Sequence, residues 1–166
     1  MFRNLCFCLA SLFCLDVFAH ALPQNNALIS VHGGRVEVSI DINIGPWLTA
    51  LNDPQAWLMG DTEAVVSDKL KESQKLQQLN QLLLKHVKLK HSDIVIPLTN
   101  KALPKRIAHE HQRFVYQGML SGGQSGKVTA ELNVQFPKSL GDVYLKIVQP
   151  EFVNVKAGKP TRIKLN

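Results

Sequence analysis

Two stretches of strict alternation constrain this chain more than anything else in it. Gly34 to Ile44 reads GRVEVSIDINI, with Val36, Val38, Ile40, Ile42 and Ile44 at one parity and Arg35, Glu37, Ser39, Asp41 and Asn43 at the other. Successive strand side chains leave opposite faces, so this pattern predicts a half-buried strand and rules out a helix over the same residues. Lys127 to Phe136 repeats it, with Val128, Ala130, Leu132, Val134 and Phe136 inward. Leu28 to Val31 is a further β-prone run, joined to the first strand through His32, Gly33 and Gly34. Glycine supplies positive φ without a Cβ clash, so that junction predicts a tight hairpin.

The rest of the chain supplies the remaining elements. Gly45-Pro46 ends the first strong strand, and Trp47 to Met59, interrupted by Asn52, Asp53 and Pro54, predicts a short helical turn and a loop. From Asp61, read as an N-cap, Val66, Leu70, Leu76, Leu79 and Leu83 recur at helical spacing, which predicts one amphipathic helix over about residues 62–84. Strands are then predicted at Val87 to Lys90, Ile94 to Leu98, Ile107 to Leu120, Val143 to Val148, Phe152 to Val155 and Thr161 to Leu165. Asn100 to Pro104 and Ser121 to Gly126 read as a loop and a turn. Many short strands and one helix predict a mainly β (α+β) fold: an antiparallel, immunoglobulin-like β-sandwich with one inserted amphipathic helix, in a single domain spanning residues 22–166.

The first 21 residues carry a different signal. Arg3 precedes the apolar stretch Leu5 to Leu15, and small residues follow at Val17, Ala19 and Ala21. This is the layout of a secretory signal peptide cleaved after Ala19 or after Ala21. All three cysteines, Cys6, Cys8 and Cys14, fall inside it. The predicted mature chain therefore has no disulfide, no thiol nucleophile and no thiolate metal site. Arg3 and Asp16 leave together with the segment, so the net charge stays at +6. The lysines are scattered and not interleaved with aromatics, which argues against a nucleic-acid partner. No long apolar run follows the first twenty residues, so no membrane span is expected in the mature chain.

Few motifs carry chemistry. Gly123-Gln124-Ser125-Gly126-Lys127 lacks the final glycine of a serine-hydrolase elbow and lies between strands, and no phosphate-cradling glycine loop is present. Asp41, Asp53 and Asp61 fall in different elements, leaving a paired-carboxylate hydrolase without a local signature. His109 and His111 stand two apart in a predicted strand, which would send both imidazoles from one face toward a shared metal ion. Cleavage after Ala19 would expose His20 as the amino terminus, whose amine and ring nitrogen together with His109 or His111 would chelate copper or nickel. Trp47 and Trp57 flank the loop before the helix and read as anchors to the core.

The stretch FAHALPQNNALISVHGGRVEVSIDINIGPWLTALN, Phe18 to Asn52, resembles the start of periplasmic domains in HupE/UreJ-type hydrogenase and urease accessory proteins. The shared features are an A-H-A junction, a hairpin and the end of its second strand. The resemblance covers about a quarter of the chain and implies an envelope β-domain; the acidic, calcium-loop-like segment of that family has no counterpart near Asp53 to Asp61. The A-H start is also similar to copper-resistance proteins of the CopC type, whose other motifs are absent. Together these readings predict an exported, non-enzymatic binding or accessory module, periplasmic or secreted, for an envelope protein or membrane-protein complex. Two alternatives accompany it: a periplasmic copper or nickel protein using His20, His109 and His111, and a carbohydrate-acting hydrolase.

Overall fold

The computed structural model describes residues 25–32, 34–120, 131–148 and 151–164. The signal-like segment with His20, the SGGQSG turn and Lys127 to Ala130 lie outside the described residues. Among the described residues the chain forms β1 (Asn25–His32), β2 (Arg35–Asn43), α1 (Ile44–Leu51), α2 (Pro54–Leu58), α3 (Glu72–His86), β3 (Lys88–His91), β4 (Ile94–Val95), β5 (Thr99–Ala108), β6 (His111–Met119), β7 (Glu131–Gln135), β8 (Val143–Ile147), β9 (Glu151–Val155) and β10 (Thr161–Lys164). A single 3-10 turn, Lys138–Leu140, precedes β8.

The protein is mainly β. Its strands form a six-stranded sheet in the order β5-β6-β2-β1-β8-β9 and a four-stranded sheet in the order β10-β7-β3-β4. Among the described residues the ladders are antiparallel except one: β1 runs parallel to β8, with Asn26 opposite Tyr144 and Leu28 opposite Lys146. That pair departs from the all-antiparallel expectation. Its cause is the chain path, because β8 returns from β7 of the smaller sheet and enters alongside the open edge of the β1–β2 hairpin. In that hairpin Gly34 has φ +77, the left-handed value the turn requires.

Alternation does what the sequence predicts. Val36, Val38, Ile40 and Ile42 of β2, Phe114 and Tyr116 of β6, Leu132 and Val134 of β7 and Ile163 of β10 belong to one buried core. Both sheets therefore share a core, joined by Leu79, Leu82 and Leu83 of α3 and by Trp47 and Leu51 of α1. Burial of each such side chain contributes roughly 1.5–3 kcal/mol before entropy is counted.

The helical region differs most from expectation. Among the described residues three helices form, and the long one starts at Glu72. Residues 61–71 are held instead by distant partners. Asn52 Oδ1 accepts the Val66 N–H at 3.1 Å, drawing Val66 into the core. Asn52 Nδ2 donates to Asp68 at 3.3 Å, and the Glu63 carboxylate accepts from Ser139 Oγ at 2.5 Å and from the Lys138 N–H. These bonds replace the local helical ladder. α3 then begins where the Gln74 side chain accepts the Lys71 N–H at 3.1 Å, with Glu72 in the first turn and Lys85 and His86 in the last, complementing the helix dipole.

Tyr116 ties α3 to the six-stranded sheet: its hydroxyl donates to Asn80 Oδ1 at 2.9 Å. Burial pushes the phenol well above its ordinary value. The native state thus keeps a proton that the unfolded chain releases near pH 10, so this contribution is complete below that pH and falls above it by about 1.4 kcal/mol per pH unit. Denaturant unfolding at increasing alkaline pH should show Tyr116→Phe losing less stability than the parent chain. Parallel declines would contradict the buried phenol.

Candidate functional site

The least expected surface lies on α2. This helix has five residues, too short to persist alone, yet both ends are closed. At the start, Asp53 is the N-cap, its Oδ1 accepting the Gln55 N–H at 2.9 Å, and Pro54 occupies the first helical position, where its missing N–H removes an otherwise unpaired donor. At the other end, Gly60 N–H donates to Trp57 O at 3.1 Å and Asp61 N–H to Ala56 O at 2.8 Å, with Gly60 at φ +71. This paired closure is a Schellman motif. Asp61 therefore completes a helix end, where the sequence predicted a helix start.

The helix so fixed carries apolar side chains outward. Trp57 is 61% exposed, Leu58 76% and Met59 77%. Three consecutive large apolar residues held in solvent by two caps contribute little to folding, because most of their apolar area stays in water. They form an exposed apolar patch whose backbone is fixed at both ends. Beside α2 lies an open hollow of about 700 Å³, lined among others by Pro46, Leu48 and Pro54, whose charged lining is Asp53 and Asp68.

The two tryptophans divide. Trp47 is buried and its indole N–H donates to Ser139 Oγ at 3.1 Å, so it anchors α1 to the 3-10 turn as expected of both. Trp57 does not anchor. The burial along α2 explains why: none of its side chains is buried, and the most covered of them, Ala56, is small.

The predicted histidine pair sits elsewhere and differently. The continuous strand expected over Ile107 to Leu120 is a hairpin, in which Ala108 pairs with His111 and His109-Glu110 form the turn. Glu110 has φ +63, a left-handed value held by the bond from the Ile44 N–H to Glu110 O at 2.9 Å. His109 is exposed at the turn, and the His111 ring nitrogen Nδ1 lies 3.2 Å from His109 O. The two imidazoles are thus related by a turn and not by strand alternation. His20 lies outside the described residues, and among those described no group of three or more His, Cys, Asp or Glu is arranged to hold a metal ion.

On the outer face of the larger sheet, Arg113 Nε and Nη2 each donate to an Asp41 carboxylate oxygen at 2.7 Å. This hydrogen bonding holds the Arg113 guanidinium above its ordinary pKa, a gain that desolvation offsets in part. Among the described residues no helix is long and apolar enough to cross a membrane. No protein-family model matches the chain, and no curated protein matches it.

Proposed function

We propose that the chain is an exported, non-enzymatic binding module on an immunoglobulin-like β-sandwich, which docks through α2 onto an envelope protein or membrane-protein complex. The observation that carries this reading is the doubly capped α2 with Trp57, Leu58 and Met59 in solvent. Rigid aromatic and methionine side chains are the usual centres of protein interfaces, and fixing them beforehand lowers the ordering cost of binding. The adjacent Asp53 and Asp68 favour a partner whose apolar pocket has a basic rim, and disfavour an anionic lipid surface. The Arg3 to Ala21 layout supports the export step.

The test places a photo-crosslinking residue at Leu58 in cells producing the full chain, with Lys90 on β3 as a control position. A discrete adduct from position 58 that is absent from position 90 is expected, and Trp57→Ala should remove it. The same substitution should change the unfolding free energy by less than about 0.5 kcal/mol, since the side chain is mostly exposed. Equal labelling at both positions, or none at 58, would refute docking through α2.

A further inference from the structure

The outer face of the six-stranded sheet holds an arrangement independent of α2. Arg113 pairs with Asp41 across β6 and β2, Asp41 with Asn26 across β2 and β1, and Asn26 with Tyr144 across β1 and β8. Those registers put four side chains in one row across four strands, about 14 Å from end to end at the usual strand spacing. The row borders a shallow basin of about 280 Å³, which the next row's Leu28 and Lys146 also line.

The chemistry of the row is mixed at every step. Arg113 donates and Asp41 accepts, locked edge to edge by two hydrogen bonds, with the Arg113 side chain 46% exposed and that of Asp41 22%. Asn26 offers both a donor and an acceptor, and Tyr144, 44% exposed, adds an aromatic ring and a hydroxyl. A phosphate or a nucleic-acid backbone would have to compete with the Asp41 carboxylate, which already takes two Arg113 donors at 2.7 Å, and would lie against that carboxylate. A purely apolar ligand would strand its polar groups. A peptide strand would seek a sheet edge, and this is a face. What matches is a ligand with hydroxyls that both donate and accept, and with a flat C–H face to lie against an aromatic ring.

We infer that this row is a carbohydrate-binding site, in which the Asp41–Arg113 pair and Asn26 bind adjacent hydroxyls of a pyranose chain while the ring of Tyr144 packs against a sugar face. The Asp41–Arg113 hydrogen bonds preorganise the donors and acceptors, so binding does not have to order them. The site is open, and the expected affinity is correspondingly weak, in the millimolar range.

Titration of the isotope-labelled chain with cellotetraose and with chitotetraose, followed by backbone amide shifts, tests the site. Saturable shifts at Asn26, Asp41, Arg113 and Tyr144 with either glycan are expected, and the responding glycan reports which sugar is preferred. Tyr144→Ala should weaken binding by at least about tenfold, with a dispersed spectrum showing that the variant is folded. Trp57→Ala should bind the glycan like the parent, which separates this site from docking through α2. Absence of shifts with both glycans, shifts confined to other faces, or undiminished binding by folded Tyr144→Ala would overturn the assignment.

Discussion

Trp47→Ala is expected to lower the unfolding free energy by about 3–5 kcal/mol, the range for removing a large aromatic from a close-packed core. The indole is 2% exposed and sits where α1 meets the 3-10 turn. Its N–H also begins a relay: Trp47 donates to Ser139 Oγ, which donates to Glu63, which accepts the Lys138 N–H as well. Losing the ring therefore opens a cavity and loosens the bonds that hold residues 61–71 out of a helix. Trp47→Phe keeps much of the apolar volume and loses only the first hydrogen bond, so its expected cost is smaller, about 1–2 kcal/mol. Denaturant unfolding with an unchanged m-value is the measurement. A cost for Trp57→Ala equal to that of Trp47→Ala would contradict the assignment of one tryptophan to the core and the other to the surface.

What could be read in the sequence divides along the range of the forces involved. Val38, Ile40, Leu132 and Val134 are all 0–1% exposed, as their alternation requires, because the period of a strand is local and its inner face meets one core. The start of α3 was not legible. Asp61 is a good N-cap on local grounds, and the groups that overrule it, Asn52 for Val66 and Ser139 for Glu63, lie 14 and 76 residues away. The His109-Glu110 turn contains neither glycine nor asparagine, so no turn signal marks it; its left-handed residue is held by the backbone of Ile44. The ends of α2 are marked locally: Asp53-Pro54 at one end and Gly60 at the other are cap residues at the spacing of a very short helix. For the outer sheet row, alternation already sends Asp41 outward from β2. Bringing Arg113, Asn26 and Tyr144 into line with it depends on registers among four strands, including the parallel pair, and local pattern does not specify those.

Gly118→Ala is expected to cost on the order of 1–3 kcal/mol, through overpacking and not through backbone strain. Gly118 lies in β6, and a Cβ there would stand 2.5 Å from Ile96 Cγ2, 3.0 Å from the Pro97 carbonyl oxygen and 3.3 Å from Leu98 Cδ2. Those three neighbours form the crossing between β4, at the edge of the smaller sheet, and β5, at the edge of the larger. Ile96 is 3% exposed and its N–H donates to Leu89 O at 2.8 Å, so the crossing cannot back away without giving up core contact and a hydrogen bond. Glycine is the residue that lets two backbones approach this closely. The clash has a specific signature: in an Ile96→Ala background the nearest methyl is gone, so the added cost of Gly118→Ala should shrink, leaving the carbonyl contact as the remainder. Hydrogen exchange should show the loss first in β4 and β5, the elements the crossing joins. A Gly118→Ala cost below about 0.5 kcal/mol would mean that the strand crossing does not pack on β6 at this distance.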